Sequence, residues 1–562
     1  MPESHRRKTW TRRRLLGTAA AGTTAAAVGA LGIARAATPT GDTTTNDTPT
    51  PTAAATGDVV GKISTGYQGW FAAKGDSAPI DGWWHWSQDW SKTPSATNTN
   101  IKCWPDMREY THTYSTGYAA LGDGRPATLF SSHDQQTVDT HFAWMSQYGI
   151  DTAALQRFNP TGGEGPTRDA MAQKVRTAAE AHDVKFYVMY DVGGWTSMQS
   201  EIKTDWTQKM RAHTASPAYA RQNGRPVVAI WGFGFNDDNH PFTAAACTDV
   251  ITWFQSQGCY VIGGIPKEWR TGGQGTRTGF TDTYHAFDMI SPWMIGAIGN
   301  AGDSDHYYEN VNLGDQADCD AHGIDYQPCV LPGDLSIPGQ RADGDFMWRQ
   351  FYNMVRAGAQ GIYVSMFDEY NEGHQIAKTA ETKASVPTDS GFLALDQDGT
   401  ACSSDYYLRL TGDGGRMLKG EIALTATRPT LPTAGTATSL KAYANGNYVT
   451  AENTGTAPLI ANRTAVGPWE RFDMVEVGDD SVVLRAQANG RYVTAGADPL
   501  IADSGTPGRA QTFQLVRNAD DTVSLLALAT GHYVTAEAAG ASPLIADRTA
   551  IGPWEKFTLT PA

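Results

Sequence analysis

Beyond residue 36 the 562-residue chain lacks any run approaching the ~20 apolar residues that a membrane span requires. It has no CxxC, so a cysteine-rich zinc site is not expected, and the reading assigns neither a metal nor a cofactor. No GxGxxG follows the first strand-like run, and no GxSxG accompanies Ser131, Ser132, His133 and Asp134. Nucleotide-binding and serine-hydrolase readings thereby lose their main support. Basic charge is short as well: 44 Lys and Arg face 59 Asp and Glu, for a formal charge of -15. That balance excludes nucleic acid as the main partner and disfavours anionic membrane surfaces. Charged residues are only 18% of the chain, while 59 Gly, 28 Pro and 17 Trp exclude a coiled coil or an ordinary disordered polymer.

What is present begins with an export signal. Arg6, Arg7, Lys8, Arg12, Arg13 and Arg14 precede an Ala- and Gly-rich apolar stretch from Leu15 to Ile33, followed by Ala34-Arg35-Ala36. Basic, apolar and small-x-small parts in that order form a cleavable signal. Thr11-Arg12-Arg13-Arg14-Leu15-Leu16 resembles the twin-arginine export motif. Residues 1–36 are therefore expected to be removed from a secreted protein with no membrane contact, and a monomer is expected. Residues 37–58, rich in Thr, Pro and Ala, read as a flexible spacer. Cys103, Cys247, Cys259, Cys319, Cys329 and Cys402 are even in number, which suits an oxidising destination but leaves their pairing open.

Residues 59–425 alternate buried-strand patterns with amphipathic ones. Strands are expected over Ile63–Phe71, Thr152–Phe158, Lys185–Asp191, Pro226–Trp231, Tyr260–Gly264, Met289–Trp293, Tyr326–Leu331 and Gly361–Phe367. Runs such as KFYVMYD are apolar on both faces, as in parallel strands covered by helices. Eight strands with interposed helices predict an α/β fold, a (β/α)8 TIM barrel, with a doubly wound open sheet as the alternative. Residues 436–562 differ. Tyr448-Val449-Thr450-Ala451 recurs from Tyr492 and from Tyr533, each followed by Pro-Leu-Ile-Ala. Two copies then carry Gly-Pro-Trp-Glu, at Gly467 and Gly552, and the middle one has Gly508-Arg509-Ala510-Gln511. Three copies of about four short strands predict an all-β trefoil. Its Asn445-Gly446-Asn447-Tyr448-Val449 and Trp469-Glu470-Arg471-Phe472 segments look fascin-like. The repeated Tyr448, Tyr492 and Tyr533 are expected in its core.

In a barrel of this kind the chemistry sits where strands end. Tyr67, Gln68 and Trp70 follow the first strand, Asp191 the third, Trp231 and Asp237 the fourth, Trp269 and Arg270 the fifth, and Trp293 the sixth. Trp83, Trp84 and His85 lie in a long polar segment after the first strand. Indole faces stack on sugar rings, and carboxylates and amides bind their hydroxyls, so these are candidate substrate-binding residues. Any single Trp also serves as core. The most specific feature is Glu369-Tyr370-Asn371-Glu372-Gly373-His374-Gln375-Ile376. Two glutamates three apart beyond a buried strand supply the two carboxyl groups of glycosidic cleavage, although ExxE alone also caps helices or stays solvated.

That segment, from Gly361 to Ile376, resembles the Glu-Trp-x-Glu-Gly-Thr-Gln-Ile motif of glycoside hydrolase family 99, the endo-α-mannosidases, to which family 71, the α-1,3-glucanases, is related in fold. The resemblance implies that Glu372 is the general acid/base. It also implies that Glu369 deprotonates the substrate 2-hydroxyl to give a 1,2-anhydro sugar, with conventional double displacement as the fallback. Tyr370 stands in place of the motif's Trp, His374 of its Thr and Asp368 of its preceding Asn, so Tyr370 is expected to line the site and mannose specificity does not carry over. The expected function is a retaining hydrolase of an α-linked polysaccharide or oligosaccharide, α-mannan-like or α-glucan, with a glycan-binding trefoil. A non-catalytic carbohydrate-binding protein on a hydrolase scaffold is the alternative.

Overall fold

The computed structural model describes residues 57–562 apart from 274, 434, 479–480 and 505–506. The export segment 1–36 and spacer residues 37–56 lie outside the described residues. Among the described residues two large apolar cores span Val59 to Ile422 and Leu440 to Phe557, and Val475, Val483 and Tyr492 form a third, small one.

The first core is wrapped by parallel strands. They are β1 (Ile63–Tyr67), β2 (Thr152–Arg157), β3 (Lys185–Asp191), β4 (Arg225–Trp231), β5 (Tyr260–Pro266), β6 (Met289–Trp293), β7 (Asp325–Tyr326 and Cys329–Val330) and β8 (Ile362–Val364). Each pairs in parallel with its neighbour in sequence order. The first half of β7 pairs with β6, its second half pairs with β8, and β8 pairs with β1 in the register Ile362 to Ile63. The pairings thus return to their start, as in a TIM-like barrel. β7 is split because the chain between its halves contains Pro328, which has no N–H to give a ladder. At β1 the strand runs close to its neighbour: a Cβ on Gly66 would lie 2.2 Å from the Tyr363 hydroxyl.

The covering helices are α1 (Gln135–Gln147), α2 (Gly165–His182), α3 (Met198–Gln208), α4 (Ala244–Ser256), α5 (Thr281–Tyr284), α6 (Ala301–Tyr307), α7 (Leu313–His322), α8 (Asp345–Ala357) and α9 (Tyr406–Leu418). α8 shows the pattern well. Phe346, Met347, Phe351 and Met354 face inward, while Arg349 and Arg356 reach Asp305 outside. The helices over 281–322 and 406–418 are short or rich in Gly, Asp and Asn, and packing rather than propensity supports them.

In the second core, six antiparallel strands close a ring: Thr436–Ala442, Phe472–Gly478, Ser481–Ala486, Thr512–Arg517, Val523–Ala527 and Phe557–Pro561. Three hairpins, one per sequence repeat, accompany it. This is an all-β barrel compatible with a trefoil-like arrangement. The repeated tyrosines are not all core. Val449, Val493 and Val534 point inward at equivalent positions, and strand alternation turns the preceding Tyr448 and Tyr533 to a half-buried face. Tyr492 alone is buried, because its hydroxyl donates to the Pro429 carbonyl (3.1 Å) in the connecting segment. The six cysteines are all buried and free, so the oxidised pairing suggested by their even count is absent.

Candidate active site

β8 stops at Val364, and the Ser365–Met366 peptide bond that follows is cis. The chain then coils once: the Glu369 carbonyl accepts the N–H groups of Glu372 (3.3 Å), Gly373 (3.1 Å) and His374 (3.3 Å). That turn carries both glutamates at the end of the strand. Gly373 sits at φ +76°, and a Cβ there would lie 2.5 Å from Asp334 Oδ1, so two constraints select glycine. The buried Arg341 guanidinium donates to the carbonyls of Gly333 (3.0 Å), Gly373 (2.9 Å) and Gln375 (2.9 Å), anchoring the turn to the segment after β7.

A second clamp joins this turn to β1. Asp368 accepts the backbone N–H groups of Gln68 (2.7 Å) and Gly69 (2.8 Å) on its two oxygens. Burial pushes its carboxyl up to about 6, although those amides and Arg168 pull the other way. The clamp fixes Gln68, whose side-chain amide donates to Glu369 Oε1 (3.1 Å). Glu369 is 1% exposed and Glu372 7%. Beyond them, Asp334 accepts the Lys102 ammonium (2.6 Å) and the Ser336 hydroxyl (2.6 Å). Burial pushes the Asp334 carboxyl up, but Lys102, Ser336 and nearby His374 hold it below its usual range.

The mouth has two aromatic walls. On one, Trp70 stacks between His85 (3.8 Å between ring centres) and Phe158 (5.7 Å), with the Arg168 guanidinium 5.7 Å from its ring. Burial, reinforced by Arg168, holds the His85 imidazole well below its usual range. Trp84 donates its indole N–H to Glu164 (3.4 Å) and meets Trp90, itself 42% exposed, edge to face. On the other wall, Trp231 packs against Phe235 (4.9 Å), His240 (5.3 Å) and Trp293 (5.5 Å). Asp237 holds His240 Nδ1 at 2.8 Å. Burial raises the Asp237 carboxyl, but His240 and the Asn239 amide together leave it lowered. Asp191 joins this wall: a Cβ on Gly193 would lie 3.2 Å from Asp191 Oδ1 and 3.4 Å from His240 Nε2.

Other residues named from the sequence lie elsewhere. Tyr67 points outward from β1, with its hydroxyl 3.0 Å from His141 on α1. Tyr370 is buried beneath the turn, between Phe71, Phe130 and Trp86, and donates to the Lys378 carbonyl (3.0 Å). Trp83 is buried near Tyr114. Trp269 is buried against Tyr284 and His285, and Arg270 pairs with Asp315 on α7 (3.1 Å), in the outer helix layer. Lys102, Asp334 and Arg341 were missed. Asp334 was within reach of the strand-end rule, since Leu331-Pro332-Gly333-Asp334 directly follows β7.

Comparisons with known proteins add the following. A family model described as a domain of unknown function (DUF7910) matches residues 433–529. No curated protein matches. Among solved structures, the GH99 endo-alpha-mannosidase from Bacteroides thetaiotaomicron aligns at 14% identity over 64% of this chain and 98% of its own, with a TM-score of 0.47. Its complex with bis-tris-propane aligns at 16% identity over 65% and 98%, with a TM-score of 0.46. A designed threefold symmetric protein, ThreeFoil, aligns at 22% identity over 22% of this chain and 96% of its own, with a TM-score of 0.21.

Proposed function

We propose that the chain is a secreted, retaining glycoside hydrolase that cleaves an α-linked polysaccharide, α-mannan-like or α-glucan. The observation that carries this reading is the turn after β8, where Glu369 and Glu372 share one coil and Gln68 orients the first of them. In the proposed reaction Glu372, protonated, gives its proton to the glycosidic oxygen as the C1–O bond breaks. Glu369, ionised, takes the proton of the 2-hydroxyl as that oxygen attacks C1, forming a 1,2-anhydro sugar. Water then opens the ring at C1, losing a proton to Glu372, while Glu369 returns its proton to O2. Both carboxyl groups end as they began, and configuration is retained. Greater exposure of Glu372 supports its role on the side from which leaving group and water pass. The fallback has Glu369 attack C1 directly.

Under the same proposal the C-terminal barrel binds glycan. Tyr443, 58% exposed, and Trp554, 38% exposed, support that role. They share an edge, since the Tyr443 N–H bonds to the carbonyl of Lys556, two residues past Trp554. The test is hydrolysis of α-mannans, α-glucans and arabinose- or xylose-containing glycans by wild type, Glu372→Gln and Glu369→Gln. Cleavage abolished by either substitution supports the reading. Tight binding without cleavage replaces it with the non-catalytic carbohydrate-binding protein.

A further inference from the structure

His285, Asp318 and His322 stand apart from the mouth. Asp318 and His322 are one turn apart on α7, and His285 ends α5. These are the helix ends that lead into β6 and β7, whereas the glutamates follow the opposite end of β8. His285 Nε2 lies 2.8 Å from Asp318 Oδ1, and His322 Nδ1 lies 3.2 Å from the same oxygen. One ligand atom from each of the three residues lies within 4.8 Å of the others. Ligands of a tetrahedral ion bound at ~2.0–2.1 Å are spaced about 3.3 Å apart, so the cluster reaches a first coordination sphere once the His322 ring, whose Nδ1 also lies 2.8 Å from the Asp318 carbonyl, turns towards the ion.

Two features favour a cation, and binding must part the His285 and His322 rings, which stack at 3.7 Å with buried Trp269 set edge-on against His285. The set lies in the last turn of α7, where free carbonyls concentrate negative potential. All three residues keep partial exposure, which gives an ion a path in and room for water to complete its shell.

We propose that His285, Asp318 and His322 bind a divalent transition metal of the zinc type, stapling the connection before β6 to that before β7. Two imidazoles and a carboxylate suit such ions better than calcium or magnesium. Its place at the entry ends of the strands makes the ion a stabiliser, independent of the hydrolase reading.

The test uses the full chain, stripped with a chelator and titrated with zinc chloride by calorimetry. Wild type is expected to bind one ion per chain, to melt several degrees higher with zinc, and to give an intense tetrahedral visible spectrum with cobalt. The double variant His285→Ala/His322→Ala is expected to lose all three responses. Asp318→Asn, which keeps the hydrogen-bonding shape, is expected to weaken binding at least tenfold if the double variant fails to fold. Absence of saturable binding in wild type, or equal binding and an equal cobalt spectrum in a folded variant, overturns the proposal and leaves a hydrogen-bonded cluster only.

Discussion

The two barrels use buried polar groups in opposite ways. In the C-terminal barrel such groups recur with the sequence. Glu470 accepts the Gly467 N–H at 2.7 Å, Glu555 accepts the Gly552 N–H at 2.7 Å, and Gln511 occupies the middle position. A carboxylate that returns in two of three repeats, with an amide in the third, is closing a turn. In the N-terminal barrel Asp334, Asp368, Glu369, Glu372 and His374 are buried together at one end of the strands, in no repeating sequence pattern. The threefold repeat thus serves as a control inside the molecule. It shows what a buried carboxylate looks like when its task is structural: Asp368 fits that description, whereas Glu369 takes a side-chain amide from Gln68.

The comparison breaks first at Glu372. Glu372→Gln is expected to reduce hydrolysis by roughly 10²–10⁴-fold, the usual effect of losing a general acid/base, with a melting temperature close to wild type. A large loss of stability with modest loss of activity would place Glu372 with the structural carboxylates. Next comes Asp368, whose raised folded-state pKa makes its contribution to stability greatest below about pH 4. That contribution is lost as pH rises through about 6. The change amounts to roughly 3 kcal/mol and is absent in Asp368→Asn. Urea unfolding of both proteins from pH 4 to 7 measures the difference between their slopes, and parallel slopes would refute the assignment.

Glu555→Ala sharpens the contrast from the other side. It is expected to destabilise the chain by about 1–3 kcal/mol through the unpaired Gly552 N–H, leaving hydrolysis of short soluble substrates unchanged. Denaturant unfolding alongside the same activity assay checks both halves. The smallest effect belongs to Trp554→Ala, expected to weaken retention on insoluble polysaccharide by about 1 kcal/mol while sparing short substrates. Pull-down on the polymer that wild type cleaves is the measurement.

Much of this was legible in the sequence because period and position carry physical meaning. Strands apolar on both faces predicted the parallel sheet, and Lys185–Asp191 and Met289–Trp293 match the observed elements at both ends. β1 was read too long, since Gln68 to Phe71 are pulled off the sheet by Asp368 and the loops beneath it. Of the residues named by the strand-end rule, Gln68 meets Glu369 and Trp231 meets Trp293, whereas Tyr67, Trp269 and Arg270 pack towards the helices, because whether a side chain at a strand end turns inward depends on alternation and on loop paths. Lys102 and Arg341 were illegible: each reaches its partners from a distant segment, and nothing local marks an arginine that binds three carbonyls. His285 and His322 were hidden similarly, 37 positions apart without a recognised spacing.

The pairing of Ile63 with Ile362 has a consequence for how the protein is made. During synthesis β1 emerges first but finds its second neighbour only after some three hundred further residues have left the ribosome. For that whole interval one flank of β1 offers unpaired N–H and C=O groups to whatever else is nearby. Closure of the ring is thus a late event of high sequence separation, and such events are slow and open to aggregation. Burial of the site depends on it, since Gln68 and Glu369 flank the same seam. The contact that closes the N-terminal barrel is also the one that brings Gln68 to the glutamate turn.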